Sequence, residues 1–310
     1  MGVIIGMDEA GLGPNLGPFV VAATVWEFSG RSDRCDLYEK LADAVSPTPC
    51  ENGRLHVADS KEVFSPAKGL HALERAALTL LNLAGCGPAR FPDVLTHLSS
   101  GVELDHWMSE IAPVDLPAEC DPMLLSASIE QLRDSMELAR IRCRAIRVDV
   151  VFPTLFNRRI AETNNKAAIC SQISLNLLRS VWNPDEERAF VIADRHGGRA
   201  RYDQLLSQAF DDRMVFRLSE TPDLSRYRLC DSEVRFECRA ERHFAVACAS
   251  LVAKYVRELS MRMFNAFWRG HVPTVRPTQG YPVDSRRFAD DVATARASLG
   301  IPDHAFWRER

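Results

Sequence analysis

Paired cysteines and long hydrophobic runs are missing from this sequence. The nine cysteines stand singly and none forms a CxxC pair, which disfavours a disulfide framework or a cysteine-pair zinc site. No stretch reaches about 18 uninterrupted apolar residues, the length that a membrane-spanning helix needs. The opening MGVIIGMDEAGLGP has neither a basic segment nor a long apolar one, unlike a secretory signal. We therefore expect reduced, buried thiols in a cytoplasmic protein without membrane association.

A strong excess of one charge is also missing. The formal net charge of the 310 residues is −4, so the surface is not uniformly basic. Nucleic-acid binding is not excluded, because Lys and Arg clustered around a groove act locally. Hydrophobic residues make up 46% and charged residues 26% of the chain, as in globular proteins with a sizeable core.

The apolar patterns predict strands that alternate with helices. Short β-branched runs bounded by Gly, Pro and Asp predict strands at 3–7, 19–26, 55–57, 143–151, 189–193, 214–218 and 234–238. Helical spacing is found at 67–84, 123–140, 165–181, 201–209, 243–268 and 285–299. This order predicts an α/β fold with a mixed sheet covered by helices.

Acidic residues stand at the ends of several predicted strands. Asp8 and Glu9 follow the first strand, Asp194 ends the strand at 189–193, and Glu241 precedes the long helix at 243–268. Taken alone, Asp8 and Glu9 also fit a turn-starting Asp beside an exposed Glu. If the four acids converge, their repulsion requires a cation, and oxygen ligands favour Mg²⁺ or Mn²⁺ over zinc. Two such ions about 4 Å apart would suit phosphodiester hydrolysis.

The segment GMDEAGLGP at 6–14 is followed by GP at 17–18 and VVAA at 20–23. Read in this order, these residues resemble the opening of the ribonuclease HII family. Further similarities are DSK at 59–61, Asp194, ASLVAK at 249–254, Gly280-Tyr281, His304 and Phe306. Each motif is weak alone, whereas the ordered set spans the chain from residue 6 to residue 306.

The resemblance implies a ribonuclease H-like fold, with a mixed five-stranded sheet flanked by helices and a helical C-terminal part beside the substrate groove. It implies a catalytic domain at 1–270 and a C-terminal extension at 271–310. The implied activity is a Mg²⁺- or Mn²⁺-dependent endonuclease that cuts the RNA strand of RNA–DNA hybrids. Asp8, Glu9, Asp194 and Glu241 would be its catalytic and metal-binding acids. We expect it to act as a monomer.

The sequence departs from the family at three points. Leu12 stands where the family has an arginine, in the glycine loop that reads the junction between ribonucleotide and deoxyribonucleotide in ribonuclease HII. The fourth acid is usually Asp, whereas Glu241 is the nearest match here and stands one residue closer to Ser250; Asp231 is the fallback. The chain is also longer than most members, and we assign the surplus to an insertion at roughly 62–142.

The predicted substrate-binding residues fall in two groups. In the glycine loop, backbone amides of Gly11, Leu12 and Gly13 could contact ribose 2′-hydroxyls, which distinguish RNA from DNA; a simple tight turn is the alternative. Tyr281 could stack on a sugar or base, or pack at the rim of the groove.

The second group lies in the DSK and helix motifs. Lys61 could contact the scissile phosphate or be solvated, and Ser60 could instead cap the next segment. Ser250 and Lys254 lie one helical turn apart. Lys254 either binds phosphate or pairs with an acid of the site.

Two other functions remain open. A catalytically weak hybrid-binding protein of the same fold is favoured if Glu241 cannot complete the metal site. A metal-dependent phosphatase acting on small phosphates would also use clustered acids, although nothing in the C-terminal motifs points to it. Metal-dependent cleavage of a hybrid separates the nuclease from both.

Overall fold

The computed structural model describes residues 2–30, 35–50, 52–99, 101, 103, 113–163, 165–196 and 199–309. Parts of the predicted insertion at roughly 62–142, namely residues 100, 102 and 104–112, lie outside this range. The described residues form a central β-sheet with helices on both faces.

Seven strands form the main sheet and two short strands form a second one. The main sheet has the order β5-β2-β1-β6-β9-β8-β7, and β3 pairs with β4. The strands are β1 (Gly2–Ala10), β2 (Phe19–Phe28), β3 (Val45–Ser46), β4 (Leu55–His56), β5 (Ile141–Val151), β6 (Phe190–Asp194), β7 (Val215–Glu220), β8 (Leu224–Leu229) and β9 (Ser232–Glu237).

The central strands place two acids next to each other. β1 is antiparallel to β2 and parallel to β6, with Met7 opposite Ala193. β6 is in turn parallel to β9, with Asp194 opposite Glu237. Because the carboxyl ends of parallel strands meet at one edge of a sheet, Asp8 and Asp194 lie on neighbouring strands at the same edge.

Twelve α-helices surround the sheet in the described part of the chain. They are α1 (Leu37–Lys40), α2 (Ser60–Val63), α3 (His71–Leu83), α4 (Phe91–Leu98), α5 (Pro122–Ala139), α6 (Pro153–Thr163), α7 (Lys166–Val181), α8 (Asp203–Ala209), α9 (Phe244–His271), α10 (Pro282–Asp291), α11 (Ala293–Ser298) and α12 (Asp303–Phe306). Single 3₁₀ turns occur at Pro66–Lys68 and Ala240–Arg242.

Alternation along β1 divides the interior into two cores. Ile4 and Ala10 face the core that contains α3 and α9, whereas Val3, Ile5 and Met7 face the core that contains α7. Successive side chains of a strand point to opposite faces, and both faces of β1 are covered. This explains why β1 is apolar at nearly every position rather than alternating with polar residues.

Helix α9 packs directly on the sheet where β1 has a glycine. A Cβ added at Gly6 would lie 2.1 Å from the carbonyl carbon of Ala245 and 2.4 Å from the amide nitrogen of Val246. The hydroxyl of Thr24, on β2, donates a hydrogen bond to the Ala245 carbonyl at 2.7 Å. The first turn of α9 is therefore fixed against the sheet at Gly6, which precedes Asp8 by two residues in β1.

The predicted mixed sheet flanked by helices is confirmed, but it has seven strands instead of five. The two additional strands, β8 and β7, extend the sheet beyond β9. Strand β8 was not predicted because its pattern LSRYRL carries two arginines. The predicted strand at 55–57 is only the two-residue β4, outside the main sheet.

The segment at roughly 62–142 contributes helices to the core. Helices α3 and α5 pack on each other, and α3 also packs on α9. The buried carboxylate of Glu74, on α3, accepts hydrogen bonds from three backbone amides at 118–120 and from the hydroxyl of Tyr255. Such a buried carboxylate needs several donors, and these donors tie the segment before α5 to α3 and α9.

Five of the nine cysteines are buried, two are partly exposed, and Cys230 and Cys238 are exposed. The prediction of buried thiols is therefore confirmed for these five cysteines only. Within the described residues, no helix is both long and apolar enough to cross a membrane.

We predict that Gly6→Ala destabilises the protein by about 3 kcal/mol, because the methyl group would overlap backbone atoms of α9 that cannot move independently. Chemical denaturation measures the change in the free energy of unfolding. Gly270→Ala is the matched control, since nothing lies within 4 Å of a Cβ added there. That variant should gain up to about 1 kcal/mol from helix propensity. A neutral Gly6→Ala would contradict the close packing of α9 on β1.

Candidate metal centre and substrate groove

Three acids from separate segments meet at the carboxyl edge of the sheet. Asp8, Asp194 and Glu241 each place one carboxylate oxygen so that all three oxygens lie within 4.8 Å of one another. Asp8 belongs to β1 and Asp194 to β6, and Glu241 lies in the 3₁₀ turn before α9. The backbone amide of Ala240 donates to the Asp194 carboxylate at 3.4 Å. We call these three residues the acidic cluster.

Glu9 lies beside the acidic cluster but on the other face of β1. One oxygen of its carboxylate lies within 4.8 Å of ligand atoms of Cys170, on α7, and of His196, which follows β6. Asp8 instead faces α9, where Ser250 lies beside it. The side chains of Asp8 and Glu9, which are adjacent in β1, therefore lie on opposite faces of the sheet at the same edge.

The pKa values of all four acids are raised. Burial, followed by the charges of Glu241 and Asp194, raises the pKa of Asp8 to about 8. Burial and the neighbouring Asp8 carboxylate raise the pKa of Glu9 well above its usual range. Burial is also the main cause of the raised pKa values of Asp194 and Glu241. Carboxyl groups that repel each other in a desolvated place are stabilised as anions by a bound cation.

A cavity of about 640 Å³ opens beside the acidic cluster and is lined by Asp194 and Glu241. Three cationic side chains also line it: Lys61, Arg239 and Arg242. The Lys61 side chain is 82% exposed, and its Nζ lies 3.8 Å from an oxygen of Asp59. The cavity therefore places two carboxylates of the acidic cluster next to side chains that could attract phosphate.

The DSK and helix motifs meet through a pair of serines. The hydroxyl of Ser250 donates to the hydroxyl of Ser60 at 3.1 Å, and both residues are buried. Asp59, and not Ser60, caps α2, because its carboxylate accepts from the Lys61 amide. The capping alternative for Ser60 is thus wrong.

Lys254 is engaged within its own helix. Its Nζ lies 2.7 Å from Glu258 and 4.9 Å from the centre of the Phe64 ring. It does not pair with an acid of the cluster, so that alternative is also wrong.

The glycine loop at 11–18 is held by the segment at 278–281. The Gly280 carbonyl accepts from the amides of Asn15 and Leu16, at 2.7 and 3.3 Å. Tyr281 is 51% exposed, and its ring comes within 4.0 Å of a Cβ added at Gly13. Leu12 is partly buried against the α7 core.

Two buried arginines support this loop from below. Arg308, near the C-terminal end of the described chain, donates to the carbonyls of Gly11 and Pro14. Arg257, on α9, donates to the Gln279 carbonyl at 2.9 Å. Burial and the nearby Arg257 charge lower the pKa of Arg308 to about 9. Gly11 has a φ of +89°, and a Cβ there would lie 2.5 Å from the Arg257 Nε, so the close approach requires glycine.

The fallback acid is excluded by the topology. Asp231 is exposed in the turn before β9, whereas the acidic cluster lies beyond the opposite end of that strand. The six residues of β9 separate them by roughly 20 Å. Asp231 as the fourth acid is therefore wrong, whereas Glu241 lies within the acidic cluster.

Sequence patterns did not predict the arginines at the cavity and under the loop, nor Cys170 and His196 near Glu9. A signal existed for His196, which stands only two residues after Asp194. Arg308 and Cys170 carried no such signal, since their positions depend on tertiary packing of segments far apart in the chain.

No family model matches the sequence, and no curated protein matches it. Among solved structures, the ribonuclease H2 of Pyrococcus horikoshii OT3 is 16% identical with a TM-score of 0.50, over 98% of this chain and 92% of that one. The RNase HII in a PCNA complex from Archaeoglobus fulgidus is 18% identical with a TM-score of 0.49, over 99% and 94%. The first likeness shows that the chain has the fold of a ribonuclease H2.

We predict that the metal-free protein loses stability as the pH rises from about 4 to about 8. Within this window the folded state retains a proton on Asp8, whose pKa is raised from 3.8 to about 8, whereas the unfolded chain has released it. The free energy of unfolding then falls with pH, by up to about 1.4 kcal/mol per pH unit for one such group. Thermal unfolding in a chelator, measured across this range, tests the slope.

The matched comparison uses two substitutions of the same kind. Asp8→Asn should flatten the slope, while Asp231→Asn, in an exposed turn, should leave it as in the wild type. Added Mg²⁺ or Mn²⁺ should restore stability at pH 8 to the wild type. An unchanged slope in Asp8→Asn would show that burial of this carboxyl does not determine the pH dependence.

Proposed function

We propose that this protein is a metal-dependent endonuclease that hydrolyses the RNA strand of RNA–DNA hybrids. The observation that carries the proposal is the convergence of Asp8, Asp194 and Glu241 at the wall of a cavity that also contains Lys61, Arg239 and Arg242. The ribonuclease H2 fold and the ordered motifs of the sequence support the same function.

The donor set fits Mg²⁺ or Mn²⁺. The acidic cluster offers only carboxylate oxygens, which hard divalent cations prefer. Burial raises the pKa values of these carboxyl groups, and a bound cation would stabilise their charged form. Asp8, Asp194 and Glu241 would hold the metal, with Glu9 adjacent. Two ions bound there would activate water and stabilise the leaving oxygen of the phosphodiester.

The other residues of the cavity bind and orient the nucleic acid. Lys61, Arg239 and Arg242 line the opening and attract the phosphates of the scissile strand. Ser60 and Ser250 join α2 to α9, which keeps Lys61 near the acids.

The position of Glu241 favours the enzyme over a catalytically weak hybrid-binding protein. That alternative requires an incomplete metal site, whereas the Glu241 carboxylate lies within 4.8 Å of the other two. The longer side chain of Glu offsets the one-residue shift of the motif. A phosphatase for small phosphates gains no support from the C-terminal motif Gly280-Tyr281, whose tyrosine ring is 51% exposed and lies next to Gly13.

We predict that Asp8→Asn lowers metal-dependent cleavage of a continuous RNA–DNA hybrid by about 100-fold or more, since it removes a metal ligand and the charge that binds the cation. Cleavage rates of a labelled hybrid in Mg²⁺ and in Mn²⁺ measure the effect. Asp231→Asn is the control, with wild-type rates expected. Wild-type cleavage by Asp8→Asn would rule out the proposed metal centre.

The glycine loop sets the expected substrate preference. The Leu12 side chain packs against the α7 core and has no hydrogen-bond donor, so it cannot hold a phosphate as an arginine could. The backbone amides of Gly11, Leu12 and Gly13 remain for contacts with ribose 2′-hydroxyls. Contacts of this kind favour a run of ribonucleotides over a single one.

We predict efficient cutting within stretches of several ribonucleotides and poor cutting at a single embedded ribonucleotide. Leu12→Arg should raise the second rate, because the guanidinium would extend from the loop towards the phosphate. Paired cleavage assays on the two substrates measure the ratio of rates.

Leu12→Gln is the matched control, because it is polar and uncharged and should leave the ratio nearly unchanged. Equal wild-type rates on the two substrates would refute this role of Leu12. Recognition of the junction would then be tested first at Tyr281, whose exposed ring stands beside Gly13.

A further inference from the structure

Three side chains on the α7 face of β1 form a second set of potential metal ligands. Glu9, Cys170 and His196 come from β1, α7 and the segment after β6, and one ligand atom of each lies within 4.8 Å of the others. Cys170 and His196 are buried, while Glu9 is partly exposed beside the acidic cluster. In the described residues these two sets are the only groups of this kind.

The hydrogen bonds of Ser171 determine which ring nitrogen of His196 carries the proton. The hydroxyl of Ser171 donates its one proton to the Ala167 carbonyl at 2.9 Å. Its 3.1 Å hydrogen bond to the His196 Nδ1 is therefore donated by the ring N–H. Nε2 of the neutral ring then keeps its lone pair. A histidine that binds metal through one nitrogen commonly donates from the other in this way.

The donor atoms differ from those of the acidic cluster. A thiolate, an imidazole nitrogen and a carboxylate suit a borderline-soft ion such as Zn²⁺, whereas Mg²⁺ prefers oxygen ligands alone. In a tetrahedral site with bonds of about 2.0–2.3 Å, ligand atoms lie about 3.5 Å apart. Small side-chain movements would close a separation of 4.8 Å or less, and the fourth position would be open.

We propose that Glu9, Cys170 and His196 bind a borderline-soft divalent cation of the Zn²⁺ class, and that this binding holds the Glu9 carboxylate away from a metal ion bound at the neighbouring acidic cluster. The lack of paired cysteines in the sequence does not exclude this site, because it uses one cysteine whose partners lie elsewhere in the chain. Zn²⁺ is thus an inhibitor that acts through Glu9. The inhibition rests on the proposed nuclease function, whereas the binding does not.

Cobalt titration tests the binding without any assay of activity. Co²⁺ replaces Zn²⁺ in such sites, and a cobalt–thiolate bond gives a charge-transfer absorption in the near ultraviolet. The band should appear in the wild type and in Cys248→Ala, which changes another fully buried cysteine, and should be lost in Cys170→Ala. Circular dichroism establishes that each variant is folded.

The hydrogen-bonded serine provides a second variant. Ser171→Ala removes the acceptor of the His196 N–H and should weaken Co²⁺ affinity by about 10–100-fold while the band itself is retained. A band that persists in Cys170→Ala, or no band in the wild type, would overturn the site. A Ser171→Ala affinity equal to that of the wild type would overturn the assigned role of His196.

Hybrid cleavage in Mg²⁺ with added Zn²⁺ tests the inhibition, with each variant compared with its own rate without Zn²⁺. Wild type and Cys248→Ala should be inhibited at a Zn²⁺ concentration at least about tenfold lower than Cys170→Ala. Equal inhibition of all three would place the inhibitory ion at the acidic cluster and refute inhibition through Glu9. If no protein cleaves the hybrid, the proposed function fails while the cobalt result stands.

Discussion

The contact of Gly6 with the backbone of Ala245 and Val246 is the constraint on which the rest of the structure depends. No other residue leaves room for the first turn of α9 to lie on β1 at backbone distance. That position brings Ser250 to Asp8 from above the sheet. The position of α9 also determines where the turn that contains Glu241 crosses the carboxyl edge of the sheet, next to Asp194. A packing requirement in the core thus determines the geometry of the candidate metal centre.

The carboxylates at this edge lower the stability of the folded protein, but they are suited to binding a cation. Desolvated acids that repel one another raise each other's pKa values, and a fold gains nothing from such a group unless it binds a cation. Glu9 lies at the same end of β1 and forms a second group with Cys170 and His196, whose sulfur and nitrogen atoms are softer donors than carboxylate oxygens. One strand, by alternating its side chains, therefore presents two kinds of ligand set to two faces of the sheet.

Much of the fold follows from local sequence patterns, and much of the site from strand ends. The hairpin of β1 and β2, the long α9 and the acids Asp8 and Asp194 all stand where apolar periodicity and its interruptions place them. Strand β8 is harder to recognise, because the first of its three buried positions is Ser225 and an arginine follows it, Arg226, which pairs with Glu233 of β9 at 2.7 Å. Cys170 reached its position by packing of α7, which no local pattern encodes.

The dependence of the glycine loop on Arg308 has a consequence for biosynthesis. The carbonyl of Gly11 and the guanidinium that it accepts from are 297 residues apart. A ribosome adding about 5–20 residues per second needs about 15–60 s to cover that distance. The sheet hairpin can form early in this interval, but the loop beside it receives its support only when the last helix has emerged. Until Arg308 has been made, the glycine loop lacks the guanidinium that donates to the Gly11 and Pro14 carbonyls.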